Sequence, residues 1–101
     1  MSWDMMIQDC IMVLEKQLAI TSGKIAARSR AWPEVRVRQA IYYWLYYQHG
    51  WSYSAIGRYF GVDHTTVNHG VKTARKHMRT DSAVEMSLKI LSAYAGAKDL
   101  L

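Results

Sequence analysis

Apolar residues recur at helical spacing along most of the chain. Between residues 3 and 19 they return every three or four positions, which predicts an amphipathic helix. The stretch 21–23 (TSG) breaks this pattern, and Ser22 is a suitable cap for a short helix over residues 25–27. A basic loop over residues 28–32 (RSRAW) then leads to the single proline, Pro33.

A second long helix is predicted from Glu34 to about Gln48. Pro33 suits the first helical position, where a backbone N–H would have no partner within the helix. Gly50 is expected to end the helix as a left-handed cap. The inward stripe of this helix consists of Val37, Ile41, Trp44 and Leu45.

Two further amphipathic segments follow, separated by a tight turn at residues 61–62. Ser52 is expected to cap a short helix over residues 53–60, whose buried residues would be Ala55, Ile56 and Phe60. Asp63 is expected to cap the next helix, from His64 to about Met78. The inward positions of that helix follow steps of four, three and four and are Val67, Val71, Ala74 and Met78.

The stretch 80–82 (TDS) precedes a last predicted helix over about residues 83–95, with Val84, Leu88, Leu91 and Tyr94 inward. No segment shows the alternation typical of strands. The pattern therefore predicts an all-α fold: a single compact domain over residues 1–101, with five to six helices. The short helix, the Gly-containing turn and the helix after it together form a helix-turn-helix.

Composition narrows the class of protein. Half of the 101 residues are hydrophobic, which disfavours disorder, and the one cysteine, Cys10, excludes an intramolecular disulfide. No apolar run approaches the roughly 20 residues that a membrane span needs. The first ten residues lack a basic start and contain two aspartates, unlike a secretory signal. We expect a cytoplasmic, nucleoid-associated protein.

The positive charge is concentrated in the middle of the chain. The net charge is +5, and residues 24–79 contain ten Lys and Arg against Glu34 and Asp63, whereas the flanks are mildly acidic. A central cationic segment suits a polyanion such as DNA, although an ordinary solvated surface would give the same count.

Residues 63–69 (DHTTVNH) crowd an acid, two hydroxyls and two imidazoles together. His64 and His69 stand five residues apart, roughly 140° around a helix, which is unsuited to a shared metal ion. Thr65 and His69 are four residues apart and could touch, but the sequence supplies no third orienting group and no oxyanion hole. We predict no metal, no cofactor and no enzymatic activity.

A DNA-reading helix uses more of these residues. The second helix of a helix-turn-helix enters the major groove by its N-terminal end, which requires short polar side chains there, and His64, Thr65, Thr66 and Asn68 are of that kind. The cations that follow can neutralise phosphates; they are Lys72, Arg75, Lys76 and Arg79. The plainer alternatives are that Asp63 is only a cap, the threonines only support the first turn, His69 is a surface residue and the cations form a solvated face.

Three stretches in this order resemble one family. Residues 36–39 (RVRQ), 56–61 (IGRYFG) and 63–69 (DHTTVNH) closely resemble the DNA-binding domain of the bacterial replication initiator DnaA, which has a Trp-repressor-like helical fold. The resemblance covers about residues 3–80. It implies binding of double-stranded DNA at a short, asymmetric initiator-box element.

The resemblance also implies roles for individual residues. Asp63, His64 and Thr65 match the major-groove readers, and Thr66, His69 and Lys72 match supporting contacts to base or phosphate. Arg36 matches an arginine that enters the minor groove. Arg38 and Gln39 match groups that fix the register on the DNA backbone.

The chain departs from the family pattern in three ways. Val62 stands where an arginine usually precedes the DHTTV motif, and the turn is one residue shorter. Val37 replaces a usual proline. The family's ATPase module is absent, so we expect a stand-alone reader, of viral, prophage or plasmid origin, or a regulator competing for initiator sites.

Nine of the 12 aromatic residues lie between Tyr42 and Phe60. We expect Trp44 and Tyr47 in the core and some of Tyr42, Tyr43 and Tyr46 partly exposed. Exposed aromatics predict a homodimer or partner surface, although their hydroxyls can also simply reach water. This observation and the shortened turn support an alternative function, a helical interaction module without specific DNA binding.

Overall fold

The computed structural model describes residues 3–25 and 33–94. They form five α-helices: α1 (Trp3–Gln17), α2 (Glu34–His49), α3 (Tyr53–Phe60), α4 (His64–His77) and α5 (Ser82–Tyr94). This confirms the predicted all-α fold, and no strand occurs in the described ranges. No helix among them is long and apolar enough to cross a membrane. The basic loop and all but the first residue of the short helix predicted over 25–27 lie outside the described residues.

The helix α2 lies at the centre of the fold, because both α4 and α5 pack against it. Its predicted inward stripe of Val37, Ile41, Trp44 and Leu45 is buried as expected. The helix α3 packs on α4, and α1 packs on α5. The other helices contribute aliphatic side chains to the same core, chiefly Ile7, Leu14, Ile56, Val67, Val71, Val84, Leu88 and Leu91.

Most helix ends follow local capping chemistry. Gly50 adopts the left-handed conformation predicted for it, with φ +71°. The hydroxyl of Ser52 accepts a hydrogen bond from the Ala55 N–H at 3.0 Å, which fixes the start of α3. Pro33 precedes the first helical residue instead of occupying it, so that α2 begins at Glu34.

The remaining helix ends differ from the prediction by one or two residues. The helix α1 stops at Gln17, two residues early, and Ala19 turns the chain with φ +56°. The helix α4 stops at His77, and α5 begins at Ser82 because the Asp81 carboxylate accepts from the backbone N–H groups of the residues that follow, Ala83 and Val84.

The buried aromatic residues of α2 are not the ones that the sequence predicted. Tyr47 was expected in the core and is 49% exposed, whereas Tyr42 and Tyr43 were candidates for exposure and are buried. For Tyr42 the reason is the position of α4. Gly70 of α4 has no side chain, and the ring of Tyr42 fills that space: a Cβ on Gly70 would lie 2.9 Å from the Tyr42 Cδ2 atom. Tyr46 is partly buried and stacks on Tyr53.

A buried carboxylate connects the end of α1 to the following turn. The Oε2 atom of Glu15 accepts from the Gly23 N–H at 2.7 Å and from the Ile25 N–H at 3.5 Å. The guanidinium of Arg38 donates to the Ile25 carbonyl at 3.1 Å. The backbone at Ile25 is therefore held from both sides, by α1 and by α2.

Candidate nucleic-acid interface

The helices α3 and α4 form a helix-turn-helix whose turn depends on glycine at two positions. Gly61 ends α3 in the left-handed conformation, with φ +70°. Gly57 faces the turn, where the Val62 N–H donates to the Gly57 carbonyl at 2.9 Å. A Cβ at Gly57 would lie 2.6 Å from the Val62 carbonyl oxygen, so no larger residue fits. The turn is thereby pressed closely onto α3.

Asp63 begins α4 through its side chain. Its Oδ1 atom accepts from the Thr65 N–H at 2.8 Å and from the Thr65 hydroxyl at 2.7 Å, and it lies 3.3 Å from Nδ1 of His64. The backbone and hydroxyl hydrogen bonds from Thr65 lower the pKa of the Asp63 carboxyl, with a smaller contribution from His64. Asp63 is therefore a cap, as predicted, and its Oδ2 atom remains available to an outside donor.

The predicted reading residues at the start of α4 lie on the surface. The side chains of Asp63, His64, Thr65, Thr66, His69 and Lys72 are all exposed. Thr65, His69, Lys72 and Lys76 follow the spacing of a single helix face, opposite the buried Val67, Val71 and Ala74. We call these four residues the exposed strip. Asn68 lies beside it and is half-buried, with its Oδ1 atom out of contact with solvent.

The charged residues of α4 are all basic. The helix contains Lys72, Arg75 and Lys76 and no acidic residue, and Arg79 follows it. All four cations are exposed. Arg75 additionally donates to the Tyr47 hydroxyl at 3.4 Å, which connects the cationic side of α4 to the C-terminal part of α2. The exposed surface of this helix therefore suits a polyanion.

The residues predicted to contact DNA from α2 are engaged with the protein itself. Arg36 donates to the Gln39 side chain at 2.9 Å and pairs with the Asp81 carboxylate at 3.6 Å. Arg38 bonds to the Ile25 carbonyl, as described above. Gln39 packs beside Gly70 of α4. The roles in minor-groove entry and backbone register that the resemblance implies for these residues stay predictions.

Neither alternative chemistry finds a matching geometry in the described residues. The Thr65 hydroxyl donates to Asp63, so it does not form the pair with His69 that a nucleophile and a base would need. His69 lies beside Thr73 instead, whose hydroxyl donates to the His69 carbonyl at 2.8 Å. Within residues 3–25 and 33–94, no three His, Cys, Asp or Glu side chains converge as a metal site requires.

Two residues that the sequence did not single out belong to this region. Asp81 holds Arg36, but it stands 45 positions further along the chain, and no local pattern signals the contact. Arg58 lines a cleft beside His64. Arg58 could have been identified from the sequence, because it is a cation on the last turn of the first helix of a helix-turn-helix.

Comparison with known proteins agrees with this geometry. Searches against curated proteins and against solved structures gave no match. A family model described as the bacterial dnaA protein helix-turn-helix matches residues 7–74, which include α1 from Ile7 onward, all of α2 and α3, and α4 as far as Ala74. The matched range thus contains the Gly57 turn, the Asp63 cap and the start of the exposed strip. The chain belongs to the DnaA helix-turn-helix family of DNA-binding domains, and double-stranded DNA is the partner that this membership indicates.

Proposed function

We propose that this protein binds double-stranded DNA sequence-specifically at an element like the DnaA box. It acts as a stand-alone regulator of replication or transcription, has no ATPase activity, and works in the cytoplasm on nucleoid or phage DNA. The observation that carries the proposal is the exposed strip of α4, which starts at the solvent-facing end of that helix and has the protein core directly behind it.

The start of the strip and the Asp63 cap beside it supply groups for reading bases. The Thr65 methyl suits a thymine methyl, and the Asp63 Oδ2 atom suits a cytosine amino group. The end of the strip supplies Lys72 and Lys76, which suit phosphates and carry no sequence information. This division predicts that substitutions at the two ends have different consequences.

The proposal is tested by selecting bound duplexes from a random pool with the wild-type protein. Binding of the selected and scrambled duplexes is then measured by fluorescence anisotropy at several salt concentrations. Lys72→Ala should weaken binding to both duplexes by a similar factor and reduce the salt slope by about one. His64→Ala and Thr65→Ala should reduce the ratio between selected and scrambled binding, by about 1–3 kcal/mol where a good base contact is lost.

Thr65→Ser is the matched control, because it keeps the hydroxyl that donates to Asp63 and removes only the methyl. A loss of discrimination in both Thr65→Ser and Thr65→Ala assigns the effect to the methyl group. If the substitutions at His64, Thr65 and Lys72 all weaken both duplexes equally, direct base reading is wrong.

The second candidate function is a helical interaction module, and the exposed Tyr47 beside Tyr46 and Tyr53 is the observation that favours it. Burial of Tyr42 and Tyr43 makes this aromatic surface smaller than the sequence suggested. A mobility shift against competitor DNA separates the two functions, since an interaction module would bind every duplex weakly and lose binding in salt. Sedimentation at micromolar concentration tests the homodimer, which a clean monomer would exclude.

A further inference from the structure

A shallow cleft of about 400 Å³ lies at the junction of α3 and α4. Ser54 and Arg58 line it from α3, the turn at residues 61–62 forms its floor with Gly57, and Asp63 and His64 line it from the start of α4. The tight contact between Gly57 and Val62 makes this floor rigid, because backbone lies against backbone there. The cleft is therefore a built part of the helix-turn-helix.

The cleft contains two hydrogen-bond donors that the protein does not use. Arg58 is exposed and has no hydrogen-bond or ion-pair partner in the described ranges, and the same is true of the Ser54 hydroxyl. The two residues stand four positions apart on α3, so they share one face of that helix. A guanidinium beside a hydroxyl is a donor set that suits a phosphate oxygen.

Asp63 is the one acid that lines the cleft, and its Oδ1 atom already accepts from Thr65. The same contacts occupy the Thr65 N–H, a backbone donor in the first turn of α4, and the Asp63 carboxylate places a negative charge at this end of the helix. A bound anion would therefore be held by the α3 side of the cleft, through Arg58 and Ser54, and not by the end of α4.

The cleft adjoins the reading end of α4, since His64 belongs to both. In a helix-turn-helix complex the second helix lies in the major groove, and the first helix crosses the sugar-phosphate backbone beside it. A duplex that contacts His64 and Thr65 would bring one strand over the neighbouring α3 residues. The shape of the cleft and its free donors suit the phosphate groups of that strand.

We propose that this cleft seats one backbone phosphate of the bound duplex, with Arg58 as the main ligand and Ser54 as a second donor. The inference rests on the proposed DNA-binding function and adds a contact from α3 to those expected from α2 and α4. It assigns Arg58 to affinity, because a phosphate contact does not distinguish bases.

The test compares Arg58→Gln, Arg58→Lys and Ser54→Ala with the wild type on the duplex selected by the wild type and on a scrambled duplex. Arg58→Gln should weaken both by about five- to tenfold and lower the salt slope by about one. Arg58→Lys should restore most of the binding, and Ser54→Ala should cost about twofold to threefold. Lys16→Gln, an equal loss of charge on the exposed side of α1, should change binding less than twofold.

A second measurement locates the contact on the DNA. Each phosphate of the selected duplex is replaced in turn by a neutral methylphosphonate, and binding of the wild type and Arg58→Gln is compared. At one position the replacement should weaken the wild type and leave Arg58→Gln unaffected, because the contact is already absent. Thermal unfolding of each variant checks that the fold is retained.

The outcomes separate this inference from the function on which it rests. If the wild type selects a duplex but Arg58→Gln behaves like Lys16→Gln, the proposed phosphate site in the cleft is wrong and the proposed function stands. If Arg58→Gln instead changes which sequence is preferred, Arg58 reads bases and the proposed phosphate site is also wrong. If the wild type enriches no sequence and binds no duplex, both proposals fail.

Discussion

The Nε atom of Arg36 lies 3.6 Å from the Oδ2 atom of Asp81, which joins the first turn of α2 to the start of α5. Both side chains are largely shielded from solvent, and the Oδ1 atom of the same carboxylate caps α5. The cation that the resemblance directs into the minor groove is thus held by an acid in the free protein. If Arg36 enters the minor groove as the resemblance implies, the duplex must compete with Asp81 for it.

Asp81→Asn should therefore tighten DNA binding by about twofold to fivefold, because the competing charge is removed while asparagine still caps α5. Anisotropy with the selected duplex measures this effect. Asp9→Asn on the exposed side of α1 is the control for net charge. An equal gain in both variants would show that the Arg36 contact plays no part.

Asp81→Ala is expected to lower the free energy of unfolding by about 1–2 kcal/mol, because alanine cannot cap the helix. Asp81→Asn should lower it by less than about 1 kcal/mol, since it loses only the ion pair. Urea unfolding of the two variants separates the cap from the pair. Equal losses would contradict the assignment of the cap to this side chain.

Gly57→Ala should destabilise the protein by about 2 kcal/mol, although alanine is the better helix former by about 1 kcal/mol. The added Cβ would lie 2.6 Å from the Val62 carbonyl oxygen, so the turn before α4 must move. DNA binding should fall as well, because the start of α4 shifts with the turn. Ser54→Ala, in the same helix and exposed, should leave the unfolding free energy nearly unchanged.

Because Asp63 caps α4 as a carboxylate, the protein should become less stable at acidic pH. Hydrogen bonds from Thr65 lower the pKa of Asp63 in the folded protein, so the folded state favours the carboxylate. The stabilisation is complete above the ordinary aspartate pKa, near 4, and is lost as the pH falls through the lower folded-state value. The urea midpoint of Asp63→Asn should therefore decline less than that of the wild type between pH 5 and pH 3. If the two urea midpoints fell by the same amount, the Asp63 cap would not contribute to the loss of stability at acidic pH.

Cys10 should be almost unreactive in the folded protein. Burial, together with a smaller contribution from the Asp9 carboxylate, raises the pKa of its thiol to about 12. At pH 8 the reaction of the native protein with a disulfide reagent should be at least about a hundredfold slower than in guanidinium chloride, because the thiolate is the reacting form. A native rate within tenfold of the unfolded rate would show that α1 opens readily.

Local chemistry explains why most of the fold was predictable. A cap such as Ser52 or Asp63 acts within three residues, and the left-handed conformation of Gly50 is a property of glycine itself. The exposed and buried faces of α4 follow from its apolar spacing, because polar and apolar residues there differ sharply. These elements therefore agree with the prediction to within one or two residues.

The aromatic face of α2 was not predictable in the same way. The sequence YYWLYY over residues 42–47 places a large ring in nearly every direction, so the pattern does not separate inside from outside. Tyr42 is buried because Gly70, 28 positions further along, leaves room for its ring. The pairing of Arg36 with Asp81 is equally distant in sequence. Both depend on how α2 meets other helices.

The contact between Tyr42 and Gly70 also bears on how this protein meets DNA. With an aromatic ring against its bare backbone, α4 cannot roll about its axis without a steric clash, so the helix face that carries His69 and Lys72 keeps one orientation once the chain has folded. Association then resembles the docking of a rigid template. Differences in affinity between duplexes will reflect the stiffness and groove width of the DNA as well as its base edges.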